Sequence, residues 1–70
     1  MTLIELRKLK TNKSQKQMGE LLGITEKTFN KYENRPKHMP IGYLIPMAKE
    51  YNVTPFTAFK AALRTYKGGN

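Results

Sequence analysis

The sequence predicts an all-α domain built from five short helices. Apolar residues recur at intervals of three and four, four of the helical segments follow a capping Thr or Ser, and no segment alternates as a strand does. Seventy residues allow one domain with one small core. We expect this domain to cover residues 1–66, with a flexible tail at residues 67–70.

The first helix is predicted over residues 2–10. Thr2 and Glu5 form a T-x-x-E capping box, in which each side chain serves the backbone donor of the other. A polar link, residues 11–13, follows. The apolar contacts of this helix are expected from Leu3, Leu6 and Leu9.

Two short helices with a tight turn between them are predicted next, over residues 14–22 and 25–33. Ser14 and Thr25 are their N-caps, since a side-chain oxygen there satisfies open backbone donors. Gly23 follows the last apolar residue of the first, where a left-handed conformation is needed. The inward side chains are expected to be Met18, Leu21, Leu22, Ile24, Phe29 and Tyr32.

Residues 34–40 contain two prolines, which predicts a loop without helix. The fourth helix is predicted over about residues 41–51. Pro46 would break a helix interior, but if the helix starts near Gly42 it falls in the first turn, where no backbone bond is lost. Its core-facing stripe is expected to be Leu44, Met47, Ala48 and Tyr51.

The fifth helix is predicted to follow the N-cap Thr54, to begin with Pro55 and to end at the glycines 68 and 69. One apolar stripe on it recurs at intervals of 3, 4 and 3 residues. This spacing allows either a place in the core or a role in joining two copies. The stripe consists of Phe56, Phe59, Leu63 and Tyr66.

The charge balance points to a polyanionic partner. Thirteen Lys and Arg residues stand against five Asp and Glu residues, a formal net charge of +8. The alternative is a solvated basic surface that serves solubility. An anionic membrane is disfavoured, because no helix combines a broad apolar face with a dense basic one. The lack of cysteine fits a reducing cytoplasm, and neither a signal-peptide apolar block nor a membrane-length apolar run is present. We therefore expect a cytoplasmic protein, with a mature secreted protein as the alternative.

The segment from Gln15 to Asn34 contains a set of residues at defined positions. Counted from Gln15 as position 1, Gly19 stands at position 5 and Gly23 at position 9. The set also includes the apolar residues Met18, Ile24 and Phe29 and, at the end of the segment, the pair Glu33 and Asn34. In this set the segment resembles the helix-turn-helix of the phage Cro and repressor family. Gly19 must be small because the following helix crosses close to it. The family usually has Ala where Gly19 stands, an aliphatic residue at Lys13 and Gly at Arg35.

The resemblance implies a five-helix, lambda-repressor-like DNA-binding domain. Its recognition helix, from Glu26 to about Glu33, lies in the major groove of double-stranded DNA. A basic residue of the first helix then pairs with Glu33. The family spacing gives Lys8 for this pair, with Arg7 as the rival.

The outward side chains of the recognition helix are predicted to read base edges. Lys donates to guanine, Asn pairs bidentately with adenine, and Glu accepts from cytosine. The alternative is that they are ordinary exposed residues, and Glu26 can equally serve the helix dipole. The predicted readers are Glu26, Lys27, Asn30 and Lys31.

Eight further residues are predicted to contact the DNA backbone. Gln15 and Lys16 begin a helix, where open backbone N–H donors and the helix dipole favour a phosphate. For Thr28 the alternative is that its methyl group packs against the protein. His38 is the only histidine and no cysteine is present, so neither a metal nor a cofactor is predicted. The eight are Gln15, Lys16, Thr25, Thr28, Asn34, Arg35, Lys37 and His38.

These observations predict a sequence-specific regulator of transcription, most similar to a small Cro-type repressor of a phage or prophage. A protein-interaction module of the same fold, an antirepressor or antitoxin, is the alternative. An enzyme is not predicted, because no nucleophile–base set or phosphate loop is present.

One recognition helix reaches only a few base pairs, so we expect a homodimer on a palindromic operator, whether or not the free protein is a monomer. The dimer surface is expected between the fourth and fifth helices, at Phe56, Phe59 and Tyr66. A rival patch consists of Met39, Pro40 and Tyr43.

Overall fold

The computed structural model describes the backbone of residues 1–69 and the side chains of residues 1–66. Two 3₁₀ turns, Pro36–His38 and Ile41–Tyr43, lie between the third and fourth α-helices, and residues 1–69 contain no strand. The predicted all-α fold is confirmed. The predicted tail, residues 67–70, lies outside the residues described in full. The helices are α1 (Leu3–Lys10), α2 (Gln15–Leu22), α3 (Glu26–Asn34), α4 (Leu44–Tyr51) and α5 (Pro55–Gly69).

The predicted N-caps are all present. At α1, Thr2 Oγ1 accepts from the Glu5 backbone N–H at 3.2 Å, and the Thr2 N–H donates to Glu5 Oε1 at 2.8 Å. This second bond lowers the pKa of the Glu5 carboxyl below its usual value. Ser14 begins α2 with a second capping box, and Thr25 and Thr54 cap α3 and α5. The starts of these four helices are therefore fixed by bonds between near neighbours.

Within residues 1–69, two helices end in a left-handed residue. Gly23 closes α2 with φ 75°, as predicted, and Asn52 closes α4 with φ 56°. Asparagine is among the few residues that adopt this conformation at modest cost. None of the helices within residues 1–69 has the length and apolar content needed to cross a bilayer.

The core lies where α1, α3, α4 and α5 meet, and it includes Met18 of α2. Two predicted members are absent from it, since Leu9 is 63% exposed and Leu21 is 49% exposed. Six residues turn a helix by about 600°, so Leu9 lies about 120° from Leu3 around the axis. On α2 the core-facing neighbour of Met18 is Leu22, and Leu21 faces solvent.

The segment before α4 differs from the prediction in two places. Residues 36–38 form a 3₁₀ turn rather than an irregular loop, because Pro36 stands at its first position, where the fixed φ fits and no donor is lost. The α-helix predicted from residue 41 begins at Leu44, after a second 3₁₀ turn. Pro46 is the third residue of α4, in the first turn as predicted.

The structure decides which face of α5 is buried. The stripe of Phe56, Phe59, Leu63 and Tyr66 is between 39% and 67% exposed, so its core alternative is wrong. The buried face consists of small residues, Ala58, Ala61, Ala62 and Thr65, which let α5 approach α1 and α4 closely. Thr65 Oγ1 accepts from the Leu3 N–H at 2.9 Å and joins the two ends of the fold.

Candidate nucleic-acid interface

The crossing of α2 and α3 is held by a close backbone approach at Gly19. A Cβ atom there would lie 2.9 Å from the Ile24 carbonyl oxygen and 3.1 Å from the Thr25 carbonyl carbon. The Ile24 N–H also donates to the Gly19 carbonyl at 2.9 Å. The start of α3 therefore rests directly on α2, which fixes the angle between the two helices.

A buried ion pair ties the far end of α3 to α1. Arg7 Nε donates to Glu33 Oε2 at 2.7 Å and Arg7 Nη2 to Glu33 Oε1 at 3.3 Å, while Nη1 donates to the Lys13 carbonyl at 3.1 Å. Glu33 is fully buried, and Lys8 is exposed. The partner of Glu33 is thus Arg7 rather than Lys8, because Arg7 lies four residues after Leu3 on the buried face of α1.

Gln15, at the start of α2, connects this ion pair to the surface of α3. Its Nε2 donates to Glu33 Oε1 at 2.8 Å, and its Oε1 accepts from Asn30 Nδ2 at 3.2 Å. Gln15, which is predicted to contact a phosphate, is therefore hydrogen-bonded to Asn30, which is predicted to read a base. Sequence reasoning missed this contact, since no local pattern indicates a bond between polar side chains fifteen positions apart.

The four predicted base readers, Glu26, Lys27, Asn30 and Lys31, are all exposed on α3. Lys27 and Lys31 are four residues apart on one side of the helix. Among the described side chains, neither lysine has an acidic partner within ion-pair distance. Their charges are therefore available to an external acceptor.

Of the eight predicted backbone contacts, Gln15 and Thr28 are half-buried and the other six are exposed. The Thr25 hydroxyl donates to Thr28 Oγ1 at 2.9 Å and accepts from the Thr28 N–H at 3.1 Å. Thr25 thus has its proton engaged, whereas the hydroxyl proton of Thr28 remains available for a phosphate. Asn34 Nδ2 donates to the Asn30 carbonyl at 2.8 Å.

The exit from α3 places basic side chains next to the end of that helix. Arg35 is its C-cap with φ −133° and ψ 72°, a conformation that needs no glycine. The 3₁₀ turn that follows carries Lys37 and His38, both exposed. Lys13 stands where the family usually has an aliphatic residue. Its Nζ pairs with Glu50 Oε2 at 2.7 Å and joins the link before α2 to α4.

Two short helices at a fixed crossing, the second with an exposed basic face, define a helix-turn-helix domain that binds DNA. The sequence model of one family, described as Helix-turn-helix, matches residues 3–57, which is most of the chain. The chain belongs to this Cro/repressor-type helix-turn-helix family. No curated protein and no solved structure matches the chain significantly. The family consists of DNA-binding regulators of transcription rather than enzymes, and double-stranded DNA is the ligand.

Proposed function

We propose that the protein is a repressor of the small Cro type, which occupies an operator of a phage or prophage and thereby blocks transcription in the bacterial cytoplasm. The observation that carries this proposal is the exposed face of α3, where Lys27, Asn30 and Lys31 project from a helix anchored at both ends. Gly19 anchors its start, and Arg7 with Glu33 anchors its end. Base reading requires a recognition helix whose position is fixed in this way.

Base reading is assigned to four side chains by their donors and acceptors. The ammonium groups of Lys27 and Lys31 match guanine O6 and N7, and the Asn30 amide matches adenine N6 and N7. Glu26 stands in the first turn of α3, where its carboxylate can accept from cytosine N4.

Backbone contacts flank this reading face. The capping box of α2 occupies the N–H of Gln17, which leaves the N–H groups of Gln15 and Lys16 open toward a phosphate. Arg35 and Lys37 follow α3 and supply positive charge at its other end, and His38 adds a polar ring beside them. These contacts hold the protein on DNA without selecting a sequence.

The dimer surface is proposed at the exposed apolar side chains of the second 3₁₀ turn, α4 and α5, here called the apolar patch: Ile41, Ile45, Phe56, Phe59, Leu63 and Tyr66. Ile41 is 72% exposed and Phe56 is 67% exposed, and both line one apolar groove with Phe59. In the rival patch, Met39 and Tyr43 are half-buried against the core, and the Tyr43 ring lies 5.7 Å from that of Tyr32. They therefore offer less free surface.

A second copy of the chain is the occupant that the size of the apolar patch favours. Six large side chains that are about half exposed offer on the order of 600 Å². Two such patches bury about 1,200 Å², which is the lower limit for a stable interface. A weak dimer of this kind forms mainly on DNA, where two half-sites hold the copies together.

The test is selection of bound DNA from a random duplex library, followed by titration of the selected operator and of its isolated half-site. The proposal predicts a palindrome that binds two chains cooperatively, with loss of cooperativity when the half-site spacing changes. Equal affinity for the half-site, with one chain bound, contradicts the dimer. Absence of any sequence preference supports the second candidate, a protein-interaction module that uses the same apolar patch.

A further inference from the structure

Asn30, a proposed base reader, is connected to the buried interior by a continuous chain of polar side chains. We infer that Arg7, Glu33 and Gln15 fix which edge of the Asn30 amide faces DNA, and so set a preference for adenine over guanine at one operator position. This inference rests on the proposed function. It assigns Gln15 a positioning role that contact with phosphate alone does not require.

The chain starts at a carboxylate that can only accept hydrogen bonds. Arg7 donates to both oxygens of Glu33, at 2.7 Å and 3.3 Å, and Glu33 has no exposed surface. An ionised carboxylate paired with arginine has no proton to donate. Any amide that approaches Glu33 must therefore present its NH₂ group.

The side-chain amide of Gln15 is the group that contacts Glu33. Its Nε2 lies 2.8 Å from Glu33 Oε1, a bond strengthened by the charge of the acceptor. The opposite orientation would bring an amide oxygen against a carboxylate oxygen. The orientation of Gln15 is thus set by chemistry, and its oxygen must point away from Glu33, toward Asn30.

Asn30 receives the constraint in turn. Because Gln15 Oε1 can only accept, Asn30 must donate to it through Nδ2, at 3.2 Å. In the inferred arrangement the hydrogen of Nδ2 that lies trans to Oδ1 makes this bond, so that the other hydrogen and the oxygen Oδ1 remain side by side on one edge of the amide. Asn30 therefore offers one donor and one acceptor in a fixed order.

This order complements adenine and opposes guanine. Adenine presents N7 as an acceptor and N6 as a donor in the major groove, whereas guanine presents two acceptors, N7 and O6. With the amide held, Asn30 Oδ1 meets the donor of adenine but the O6 oxygen of guanine. A freely rotating amide could turn its NH₂ group to guanine, so the discrimination depends on the chain of bonds.

Gln15→Leu is the variant that tests this inference. Leucine fills similar space but bonds to neither neighbour, and the Arg7–Glu33 ion pair remains to hold the fold. The measured quantity is the ratio of affinities for adenine and guanine at each position of the selected operator. A lost phosphate contact lowers every affinity alike and cancels in this ratio.

The wild type is expected to prefer adenine at one position in each half-site, and Gln15→Leu should reduce that preference about tenfold, the usual value of one bidentate pair. Asn30→Ala should remove the preference at the same position. The double variant should show no further loss, because the two residues act as one unit.

Retained adenine preference in Gln15→Leu, or a change at a position different from that of Asn30→Ala, would overturn the inference. Additive losses in the double variant would do the same. If the wild type itself shows no sequence preference, the proposed function fails first. These failures are therefore distinguishable.

A second measurement needs no DNA. In the free protein, NMR of the side-chain NH₂ groups should show that rotation of the Asn30 amide group about its Cβ–Cγ bond is restricted. In Gln15→Leu this rotation should become free. Asn12 is an exposed asparagine in the link before α2 and serves as the internal reference for a free amide. Equal mobility of the Asn30 and Asn12 amides in the wild type contradicts the inference.

Discussion

Arg7 and Glu33 form a buried ion pair across 26 residues, with Arg7 Nε 2.7 Å from Glu33 Oε2. Glu33 has no exposed surface, and Arg7 is 9% exposed. The pair joins the end of α1 to the end of α3, and Gln15 adds the start of α2. The contacts of Glu33 therefore hold three helices and the orientation of the proposed reading face.

Arg7→Met is expected to lower the free energy of unfolding by about 3–5 kcal/mol, because it leaves the Glu33 carboxylate buried without its positively charged partner. A small domain has little more stability than this to lose. The measurement is urea denaturation followed by circular dichroism. Lys8→Met, at the exposed neighbour on α1, is the control and should change stability by less than about 0.5 kcal/mol. Equal effects of the two substitutions would contradict the role of the pair.

Tyr51→Phe is expected to stabilise the protein by about 1 kcal/mol at neutral pH, because it removes a buried hydroxyl without a partner among the described residues. Burial, followed by the nearby charge of Glu33, raises the pKa of Tyr51 above its ordinary value. The folded state therefore keeps the phenolic proton up to a higher pH than the unfolded state does.

The stability that depends on this proton is present below pH about 10, the pKa of an unfolded tyrosine, and is lost as the pH rises further. Denaturation curves at pH 7 and pH 11 should therefore show a stability advantage of Tyr51→Phe that grows with pH. Tyr66→Phe, at an exposed position, is the control. An advantage that does not change between the two pH values would argue against a buried, protonated hydroxyl.

Gly19→Val should lower the thermal midpoint strongly, because its Cβ would lie 2.9 Å from a backbone oxygen and overpacking costs about 1–3 kcal/mol. Gly19→Ala should cost less, since alanine favours the helix by about 1 kcal/mol over glycine. Gly42→Val is the matched control, because no atom outside its own turn of the chain lies within 4 Å of its added Cβ. An unchanged midpoint in Gly19→Val would mean that α3 does not rest on this residue.

Lys27→Ala, Asn30→Ala and Lys31→Ala should each cost about 1–3 kcal/mol of binding to the selected operator. Binding to unrelated DNA should change less. Lys37→Ala should weaken binding to all DNA alike, because a phosphate contact carries no sequence information. Competition titrations with operator and random duplexes measure both affinities. Equal losses on both duplexes for the α3 variants would remove these residues from base reading.

Phe56→Glu should abolish cooperative binding to the full operator and leave affinity for one half-site nearly unchanged. The added carboxylate would have to be desolvated between the two copies. Leu9→Glu is the control, because Leu9 is exposed to a similar extent, 63% against 67%, but lies on α1 outside the apolar patch. Loss of cooperativity in both variants would indicate a general effect of charge rather than this interface.

Local chemistry in the sequence was sufficient to predict where α1, α2, α3 and α5 begin and how α2 ends. Thr2, Ser14, Thr25 and Thr54 each cap a helix through a bond to a residue three positions away, and Gly23 adopts its left-handed conformation because of its own backbone freedom. These interactions need no distant partner. The same holds for the spaced residues of the helix-turn-helix motif, which lie within the twenty residues from Gln15 to Asn34.

Packing settled the features that depend on distant partners. Both faces of α5 have helical spacing, and the alanine face is buried because it lets α5 lie close to α1 and α4. Arg7 rather than Lys8 meets Glu33 because the core fixes the rotation of α1. The bond between Gln15 and Asn30 exists because Gly19 brings α2 and α3 together. Such contacts depend on how whole helices are placed, and residue spacing along the chain does not encode that placement.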